Sequence, residues 1–379
     1  MTRPEPRVSL GTTLGVAVRG WLAFLVLAVA LGSGTRLASG QTSSRGAAST
    51  YQFHDVHFHL TNYVQDGIDA RAFLGIMGKR AGRSTLFGIP LQQQWSHRIS
   101  GDQAPTYYLD TDARLYYYSF TDAYIAMQYK GLTKAEQVRF DPMITGFNPT
   151  DMYAADHIRR VLLTFPGVFT GIGEFTIHKE FVSPKVAGDV ASLTDPALDR
   201  VLDFAAEVGL VVLIHNDVDR PFPRPGDPPA FLQQFRELLH RHPDNSIIWA
   251  HTGLGRIIHP VENHLAMLEG ILRDPRCANV CFDISWDEVA KYVVSTPDAT
   301  RRTADLLTRY PDRFLFGSDT VAPKSPQAYY SVYDMYQPLW DLLSKEVRDK
   351  VLKGNYERIF DEGRRKTRAW ESAQLAKPK

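Results

Sequence analysis

The stretch FHDVHFHL (residues 53–60) places three histidines and one aspartate inside an apolar run. Because successive side chains of a strand point to opposite faces, His57 and His59 share one face here. The same alternation predicts that Asp55 lies on that face and that His54 points away. Two imidazoles on one face can bind a divalent cation. However, a lone His-x-His pair is weak evidence for a metal, because buried histidines that are satisfied by hydrogen bonds are common. The rest of the chain decides between these alternatives.

Seven further apolar runs follow and alternate with helical patterns. With the first run, the strand candidates are 51–59, 84–91, 142–148, 167–175, 210–217, 246–252, 279–285 and 313–319. In the helical stretch TDPALDRVLDFAAEVG (194–209), Asp195 is a candidate cap, Pro196 occupies the first turn and Gly209 follows the end. Eight strand–helix units predict an α/β fold, a (β/α)8 TIM barrel. An open doubly wound sheet is the alternative, although no glycine-rich phosphate loop follows the first strand.

The predicted barrel covers residues 51–361. Residues 41–50 are expected to form a linker, and residues 362–379 a charged C-terminal extension. A Tyr-rich insertion, about residues 92–140, lies between the second and third strands, where a barrel carries catalytic-face loops. Its expected role is a lid or a substrate-recognition element, with a peripheral subdomain or a dimer contact as the alternative.

Residues 1–40 have the pattern of a signal peptide. Arg3, Arg7 and Arg19 precede the apolar run WLAFLVLAVALG (21–32), and Ala38 and Gly40 have the spacing that a signal peptidase recognises. The apolar run is about twelve residues long, which is short for a bilayer span. We therefore expect cleavage near Gly40 and a periplasmic or secreted protein. An uncleaved segment that anchors the chain in a membrane is the alternative.

The composition is that of an ordinary globular protein, with 44% hydrophobic and 22% charged residues and a net charge of +1. Removing residues 1–40 takes away four arginines and one glutamate, which changes the net charge to −2. A slightly acidic chain without a basic run is a poor candidate for binding nucleic acid, so a small molecule is the expected partner. Cys277 and Cys281 either pair in an oxidising compartment or remain buried thiols.

Polar side chains also end four of the other predicted strands. Glu174 ends the fourth strand, and His215, His251 and Asp319 end the fifth, sixth and eighth. The carboxyl ends of barrel strands meet at the face that holds the active site. A buried imidazole or carboxylate is costly unless it is paired or ligated. We therefore predict a divalent metal centre formed by His57, His59, Glu174, His215, His251 and Asp319.

With this pattern the sequence resembles the amidohydrolase superfamily of metal-dependent TIM-barrel hydrolases, most closely its amidohydrolase-related branch. The resemblance rests on the His-x-His pair and on GIGE (171–174), IHND (214–217) and AHTGLGR (250–256), and it covers residues 51–361. It implies that His57, His59 and Asp319 hold one ion. Two of Glu174, His215 and His251 would complete that site or bind a second ion. Zn²⁺ suits such ligands best, with Mn, Fe or Co as alternatives.

The resemblance also implies a reaction, in which metal-activated water attacks an amide, ester, lactone or phosphoester bond. Asp319 would accept a proton from that water, and either His251 or the metal would polarise the carbonyl or phosphoryl oxygen under attack. A metal-dependent non-oxidative decarboxylase of the same superfamily is the alternative, and a non-catalytic binding protein that retains the barrel is a third possibility.

Four further residues are candidates for supporting roles. Asp283 lies on the seventh predicted strand, and Arg256 and Trp286 follow predicted strands. All three are predicted to bind substrate. Arg256 either clamps a carboxylate or phosphate of the substrate or pairs with Glu262. Asp55 either orients a ligand through a hydrogen bond or is capped by backbone amides.

Overall fold

A computed structural model describes residues 51–377. The predicted signal peptide and linker lie outside the described residues, as do residues 378–379. Within residues 51–377, no helix has the length and hydropathy that a membrane span requires.

The strands of the described chain are β1 (Phe53–Asp55), β2 (Phe58–His59), β3 (Ala81–Leu86), β4 (Leu91–Gln93), β5 (Leu115–Tyr117), β6 (Phe140–Ile144), β7 (Gly171–Thr176), β8 (Val211–His215), β9 (Ser246–Trp249), β10 (Val280–Asp283), β11 (Phe314–Leu315) and β12 (Thr320–Val321). The α-helices are α1 (Ala70–Met77), α2 (His97–Ser100), α3 (Phe120–Lys130), α4 (Lys134–Gln137), α5 (Ala154–Thr164), α6 (Val182–Lys185), α7 (Pro196–Val208), α8 (Leu232–Arg241), α9 (His264–Arg273), α10 (Asp287–Val293), α11 (Pro297–Arg309), α12 (Pro326–Met335), α13 (Gln337–Leu342), α14 (Lys345–Asp349) and α15 (Asn355–Leu375). Short 3₁₀ turns cover Ala250–Gly253 and Pro275–Cys277, and a π-helical turn, Lys350–Gly354, joins α14 to α15.

Eight strands form one parallel, curled sheet in the order β1-β3-β6-β7-β8-β9-β10-β11. This order follows the chain without reversal, so the doubly wound alternative, in which the strand order reverses, is wrong. Each predicted strand overlaps one strand of the sheet. The observed strands are shorter than predicted, and β3 begins at Ala81 rather than at residue 84.

Residues that follow the two edge strands, β1 and β11, are hydrogen-bonded to one another. β2 pairs in parallel with β12. The Val56 amide donates a hydrogen bond to the Phe316 carbonyl at 3.2 Å, and the Asp319 amide donates to the His57 carbonyl at 2.8 Å. The chain segments that carry His57, His59 and Asp319 are therefore held side by side.

Helix α15 packs at the amino-terminal end of the sheet. Tyr356, Ile359 and Phe360 of this helix form one buried cluster with side chains from the strands and their ends, namely Val56, Phe87, Met143, Val211, Leu213, Ile248, Ala250, Cys281 and Leu315. The expected C-terminal extension instead continues α15 to Leu375, and Trp370 is buried. This apolar cluster extends from α15 to Phe87, whose ring centroid lies 5.5 Å from that of His57 and 4.8 Å from that of His59.

The outward faces of the strands pack against the surrounding helices, as α7 illustrates. The Asp195 side chain accepts a hydrogen bond from the Ala197 amide, Pro196 opens the helix, and Gly209 follows its end with φ 81°. The apolar face of this helix is buried in the main core. The capping pattern predicted from the sequence is confirmed.

The segment between β3 and β6 contains two kinds of structure. β4 and β5 form a small antiparallel sheet. Helix α3 contacts β6, and its buried Asp122 accepts hydrogen bonds from the amides of Thr145 and Gly146, at 2.8 Å for the first. The later part of the Tyr-rich segment is thus a helix that packs on the main sheet.

Both cysteines of the chain are buried. Cys281 belongs to the cluster under α15, and Cys277 lies in the 3₁₀ turn after α9. Both are free thiols, so the disulfide alternative is wrong.

Candidate metal centre

Five of the six predicted ligands converge at the carboxyl ends of the strands. Donor atoms of His57, His59 and Asp319 all lie within 4.8 Å of one another, and so do donor atoms of His57, Glu174 and His251. The histidines and Glu174 are buried. The two groups share His57, so the predicted residues form one continuous cluster.

His57 is the central residue of the cluster. Its Nε2 lies 3.3 Å from Asp319 Oδ1 and 3.7 Å from Glu174 Oε2. Its Nδ1 lies 2.7 Å from Asp283 Oδ2, and because an ionised carboxylate only accepts hydrogen bonds, Nδ1 carries the hydrogen. In neutral imidazole the lone pair of Nε2 then points at the two carboxylates.

His59 lies beside His57, with the ring centroids 5.3 Å apart. Its Nε2 is 3.1 Å from Asp319 Oδ1 and 3.5 Å from Glu174 Oε2. Its Nδ1 is 3.4 Å from the Gly88 carbonyl. The two histidines therefore face the same two carboxylates, as the His-x-His spacing predicted.

Asp55 does not share this face. The chain leaves the strand conformation between Asp55 and Phe58, which interrupts the alternation of side chains. Asp55 instead accepts hydrogen bonds from the amides of His57 (3.0 Å) and Ser318 (2.8 Å) and from the hydroxyl of Tyr329 (2.9 Å). Of the two predicted roles, capping by backbone amides is the observed one. Burial raises the pKa of Asp55 to about 6.

Glu174 reaches the cluster because β7 is irregular. The register between β7 and β8 shifts between Ile172 and Phe175. Gly173 has φ 125°, and a Cβ there would lie 2.2 Å from the Leu213 carbonyl oxygen. Only glycine allows this close approach of the two strands. The second glycine of GIGE therefore permits the irregular register of β7 next to Glu174.

His251 follows the end of β9 in a tight turn, where its own φ is 56°. Its Nδ1 lies 3.0 Å from Ser285 Oγ, and that hydroxyl donates to Asp283 Oδ2 at 2.7 Å. Nδ1 of His251 is therefore the hydrogen-bond donor, and its Nε2 lone pair points toward Glu174 Oε1 at 3.6 Å. His251 Nε2, like His57 Nε2, is buried and has no hydrogen-bond partner among the described residues.

His215, the sixth predicted ligand, is bound by hydrogen bonds at both ring nitrogens. Nδ1 lies 2.6 Å from Glu174 Oε1, and Nε2 lies 3.0 Å from Asp217 Oδ1. It is absent from both convergent groups. In this arrangement His215 holds Glu174 in position, a role that the sequence analysis did not predict.

The two carboxylates of the cluster favour the ionised form. Burial raises the pKa of Glu174, but Lys179, His57 and His215 lower it more, so its pKa is well below the usual range. Burial likewise raises the pKa of Asp319, yet the facing histidines lower it further. Burial lowers the pKa of His57, but Asp319 and Glu174 raise it well above the usual value. The lowered pKa values of the two carboxylates and the raised pKa of His57 all show that the cluster attracts positive charge.

A divalent ion fits this donor set. Two buried imidazole nitrogens without hydrogen-bond partners face two ionised carboxylates, and a divalent cation between them would match the carboxylate charge and give both nitrogens a partner. Imidazole nitrogen and carboxylate oxygen are ordinary ligands of Zn²⁺ and of other divalent transition metals. Asp283 and Ser285 orient the ligands from behind, as outer hydrogen-bond partners do in metal sites.

A cavity of about 100 Å³ opens beside the cluster. Besides His59, Glu174 and Asp319, its polar and aromatic lining consists of Tyr63, Tyr107, Thr176, Lys179, Arg256 and Trp286. The structure thus places Arg256 and Trp286 where substrate binding was predicted. Asp283 is fully buried behind His57 and does not line the cavity, so the prediction that it binds substrate is wrong. The His57 ring separates Asp283, at the end of β10, from the cavity.

The chain is similar to known proteins in its family and in its fold. A family model described as amidohydrolase matches residues 54–361. A Pseudomonas putida structure named as a 2-pyrone-4,6-dicarboxylic acid hydrolase has TM-score 0.50 and 13% identity, covering 82% of this chain and 98% of that chain. An amidohydrolase from Burkholderia multivorans with bound zinc has TM-score 0.49 and 12% identity, covering 82% and 99%. At such identities the likeness concerns the fold alone. No curated protein matches the sequence.

Proposed function

The chain belongs to the amidohydrolase family and is an enzyme, a hydrolase; on this premise we propose that it uses a divalent metal ion to hydrolyse a small ester, lactone, amide or phosphoester. The observation that carries the proposal is the convergence of two unpartnered imidazole nitrogens, His57 Nε2 and His251 Nε2, on the carboxylates of Glu174 and Asp319. His57, His59 and Asp319 would hold the ion, with Glu174 and His251 next to it.

The chain's own residues would divide the reaction between them. A bound divalent ion supplies a water whose pKa is lowered from 15.7 to about 7, and it polarises the bond under attack. Asp319 is the carboxylate at the cavity wall, and it would accept the proton of the attacking water and return it to the leaving group. His251 Nε2 lies 3.9 Å from Asp319 Oδ2. Because Nδ1 of His251 carries the hydrogen, the Nε2 lone pair would bind the ion or accept a proton.

The ligand types restrict which metal ions can bind. Imidazole and carboxylate groups suit Zn²⁺, which we propose as the resident ion, and they also accept Mn²⁺, Fe²⁺ and Co²⁺. His57 Nδ1 and His251 Nδ1 are both engaged by outer partners, which supports binding through Nε2.

We also infer that the curled sheet is a closed (β/α)8 barrel. The parallel pairing of β2 with β12 and the hydrogen bond from Val56 to Phe316 support closure, because these residues extend the two edge strands. We propose further that the Tyr-rich segment of about residues 92–140 contributes to substrate recognition, since Tyr107 lines the cavity.

We propose that the protein is exported and that residues 1–40 are removed. The arginines before the apolar run 21–32 and the small residues Ala38 and Gly40 support this proposal. The test is to sequence the amino terminus of the protein recovered from each cell fraction. A mature chain that begins near Gln41 outside the cytoplasm is expected, and an intact chain that stays in the cytoplasm would contradict export.

The metal-dependent function is tested by elemental analysis of the full chain, together with a panel of esters, lactones, amides and phosphoesters. The variant His57→Ala/His59→Ala removes two ligands, and His97→Ala/His259→Ala removes two exposed histidines as a matched control. We expect one or two equivalents of metal and metal-dependent hydrolysis in the parent and control proteins, and loss of both in the ligand variant.

Two results would contradict the proposal. The first is a parent chain that retains no metal after incubation with Zn²⁺ or Mn²⁺. The second is metal-dependent release of CO₂ from acids without hydrolysis of any compound in the panel, which would indicate decarboxylation instead.

A further inference from the structure

We propose that the substrate carries a carboxylate that binds between Lys179 and Arg256, in the cavity beside the metal centre. This inference rests on the proposed function, because the cavity is taken to be the substrate site. It adds one residue, Lys179, that the sequence pattern did not single out. It also names the substrate class as small anions.

Lys179 is a cation in an unusual position. It lies in the loop between β7 and α6, and only 14% of its side chain is exposed. Its ammonium contacts a single carboxylate of the described chain, that of Glu174, with Nζ 3.6 Å from Oε2. A buried ammonium requires a closer set of partners than this one contact provides.

Glu174, the carboxylate partner of Lys179, also faces the histidines of the candidate metal centre. Glu174 Oε2 also lies 3.7 Å from His57 Nε2 and 3.5 Å from His59 Nε2, inside the candidate metal centre. A divalent ion held there would take up the negative charge of Glu174. The positive charge of Lys179 would then face the cavity without a counter-charge from the protein.

Arg256 is the second cation at the cavity wall. Its guanidinium lies 5.4 Å from the ring centroid of Tyr107 and 5.7 Å from that of Trp286, so two aromatic rings restrict it. Its one carboxylate contact runs from Nε to Glu288 at 3.6 Å, and the alternative pairing with Glu262 is not found. Its terminal nitrogens make no hydrogen bond to described residues, so the planar fork is available to a carboxylate.

The charge balance of the cavity points to an anion. Of the residues that line it, the acidic ones are Glu174 and Asp319, and both belong to the metal centre. The cations are Lys179 and Arg256, and the hydroxyls of Tyr63 and Tyr107 add two possible hydrogen-bond donors. Once the metal charge is matched by its ligands, the remaining fixed charge of the cavity is positive. A carboxylate on the substrate would match it.

The test measures binding separately from turnover. Glutarate, a small dicarboxylate, and glutaramide, its uncharged analogue, are titrated into the metal-loaded full chain by calorimetry. The variants are Lys179→Met and Arg256→Met, and the matched controls are Lys345→Met and Arg301→Met at exposed sites. Metal content is measured for every variant, so that loss of the metal centre is recognised.

We expect glutarate to bind and glutaramide not to bind at the same concentrations. Each cavity variant should weaken glutarate binding by about 10- to 100-fold, because a hydrogen bond to a charged group is lost, while the controls bind as the parent does. Arg256→Met keeps the test decisive if Lys179→Met does not fold, since Arg256 is 41% exposed.

Two outcomes would overturn the inference. One is equal binding of glutarate and glutaramide. The other is glutarate binding that stays unchanged in folded, metal-containing Lys179→Met and Arg256→Met proteins, which would mean that glutarate contacts the metal directly. In either case the metal content and the hydrolysis panel still decide the proposed function independently. A chain with no metal and no hydrolysis would refute that function, whatever glutarate does.

Discussion

Replacing Asp283 by asparagine tests how the metal centre is organised. The carboxylate of Asp283 accepts three hydrogen bonds: from His57 Nδ1 at 2.7 Å, from Ser285 Oγ at 2.7 Å and from the Ser285 amide at 2.6 Å. An asparagine side chain has one acceptor oxygen and one NH₂ group. If the NH₂ group replaces Oδ2, it donates to His57 Nδ1, and the hydrogen of the imidazole moves to Nε2. If it replaces Oδ1, it opposes the Ser285 amide.

The expected magnitude follows from these contacts. In the first orientation, the Nε2 lone pair of His57 is no longer available to a metal. In the second, a buried amide donor loses its partner. Loss of an outer hydrogen-bond partner lowers metal affinity by about 10- to 100-fold, or about 1.4–2.7 kcal/mol. We expect the upper end of this range for Asp283→Asn, because Ser285 also links Asp283 to His251.

The assay is a competition titration. The metal-free full chain is titrated with Zn²⁺ in the presence of a chromophoric chelator, and the dissociation constants of the parent and Asp283→Asn proteins are compared. Asp287→Asn, a partly exposed site on the following helix, is the matched control. Circular dichroism of each metal-free protein checks that the variant is folded.

The reasoning would be refuted by one result in particular. If folded Asp283→Asn binds Zn²⁺ within twofold of the parent, then Asp283 does not fix the tautomer of His57. A similar loss in Asp287→Asn would show that charge alone, and not the hydrogen bond, accounts for the effect.

Three further predictions concern stability, each measured by chemical denaturation of the metal-free chain. Burial raises the pKa of Asp122 to about 7, so between its unfolded value of 3.8 and 7 the folded state binds the extra proton and stability falls as the pH rises. Asp122→Asn should remove this part of the slope between pH 4 and 7, and an unchanged slope would contradict it. Asp55→Ala should lower the free energy of unfolding by about 3–5 kcal/mol, because the buried amides of His57 and Ser318 lose their acceptor. Tyr329→Phe should lower it by only about 1 kcal/mol. Equal losses in the two variants would count against the amide-capping role of Asp55. Phe58→Ala should cost about 3–5 kcal/mol, since the Phe58 ring stacks on Phe73 in the core, and a cost below 1 kcal/mol would be inconsistent with that packing.

The strands and the main ligands could be predicted because they depend on local pattern and on one rule of topology. Each apolar run of the right length became a strand of the large sheet, and parallel strands place their carboxyl ends on one side. His57, His59, Glu174, His251 and Asp319 therefore had to meet if the strands were correct. No knowledge of side-chain contacts was needed for that step.

The roles of Asp55 and Asp283 could not be predicted in the same way. Strict alternation placed Asp55 beside His57, but the break between Asp55 and Phe58 reverses that assignment. Asp283 ends β10, and only its contact with a histidine 226 positions away shows that it supports a ligand. Lys179 was missed because a lysine five residues past Glu174 has no sequence signal that separates it from a solvated surface lysine.

His57 belongs to both convergent groups of donor residues, and this limits the number of ions that can bind. Its Nδ1 is held by Asp283, so only one lone pair, at Nε2, remains for a metal. That nitrogen is the His57 atom that faces both Glu174 and Asp319, and one lone pair cannot bind two ions. A second ion would have to be bound by Glu174, His251 and His215, and His215 Nδ1 would first have to give up its 2.6 Å contact with Glu174 Oε1, while its Nε2 stays with Asp217. We infer that the described ligands favour one ion. Two equivalents per chain would therefore mean that the direct His215–Glu174 hydrogen bond is replaced when metal binds.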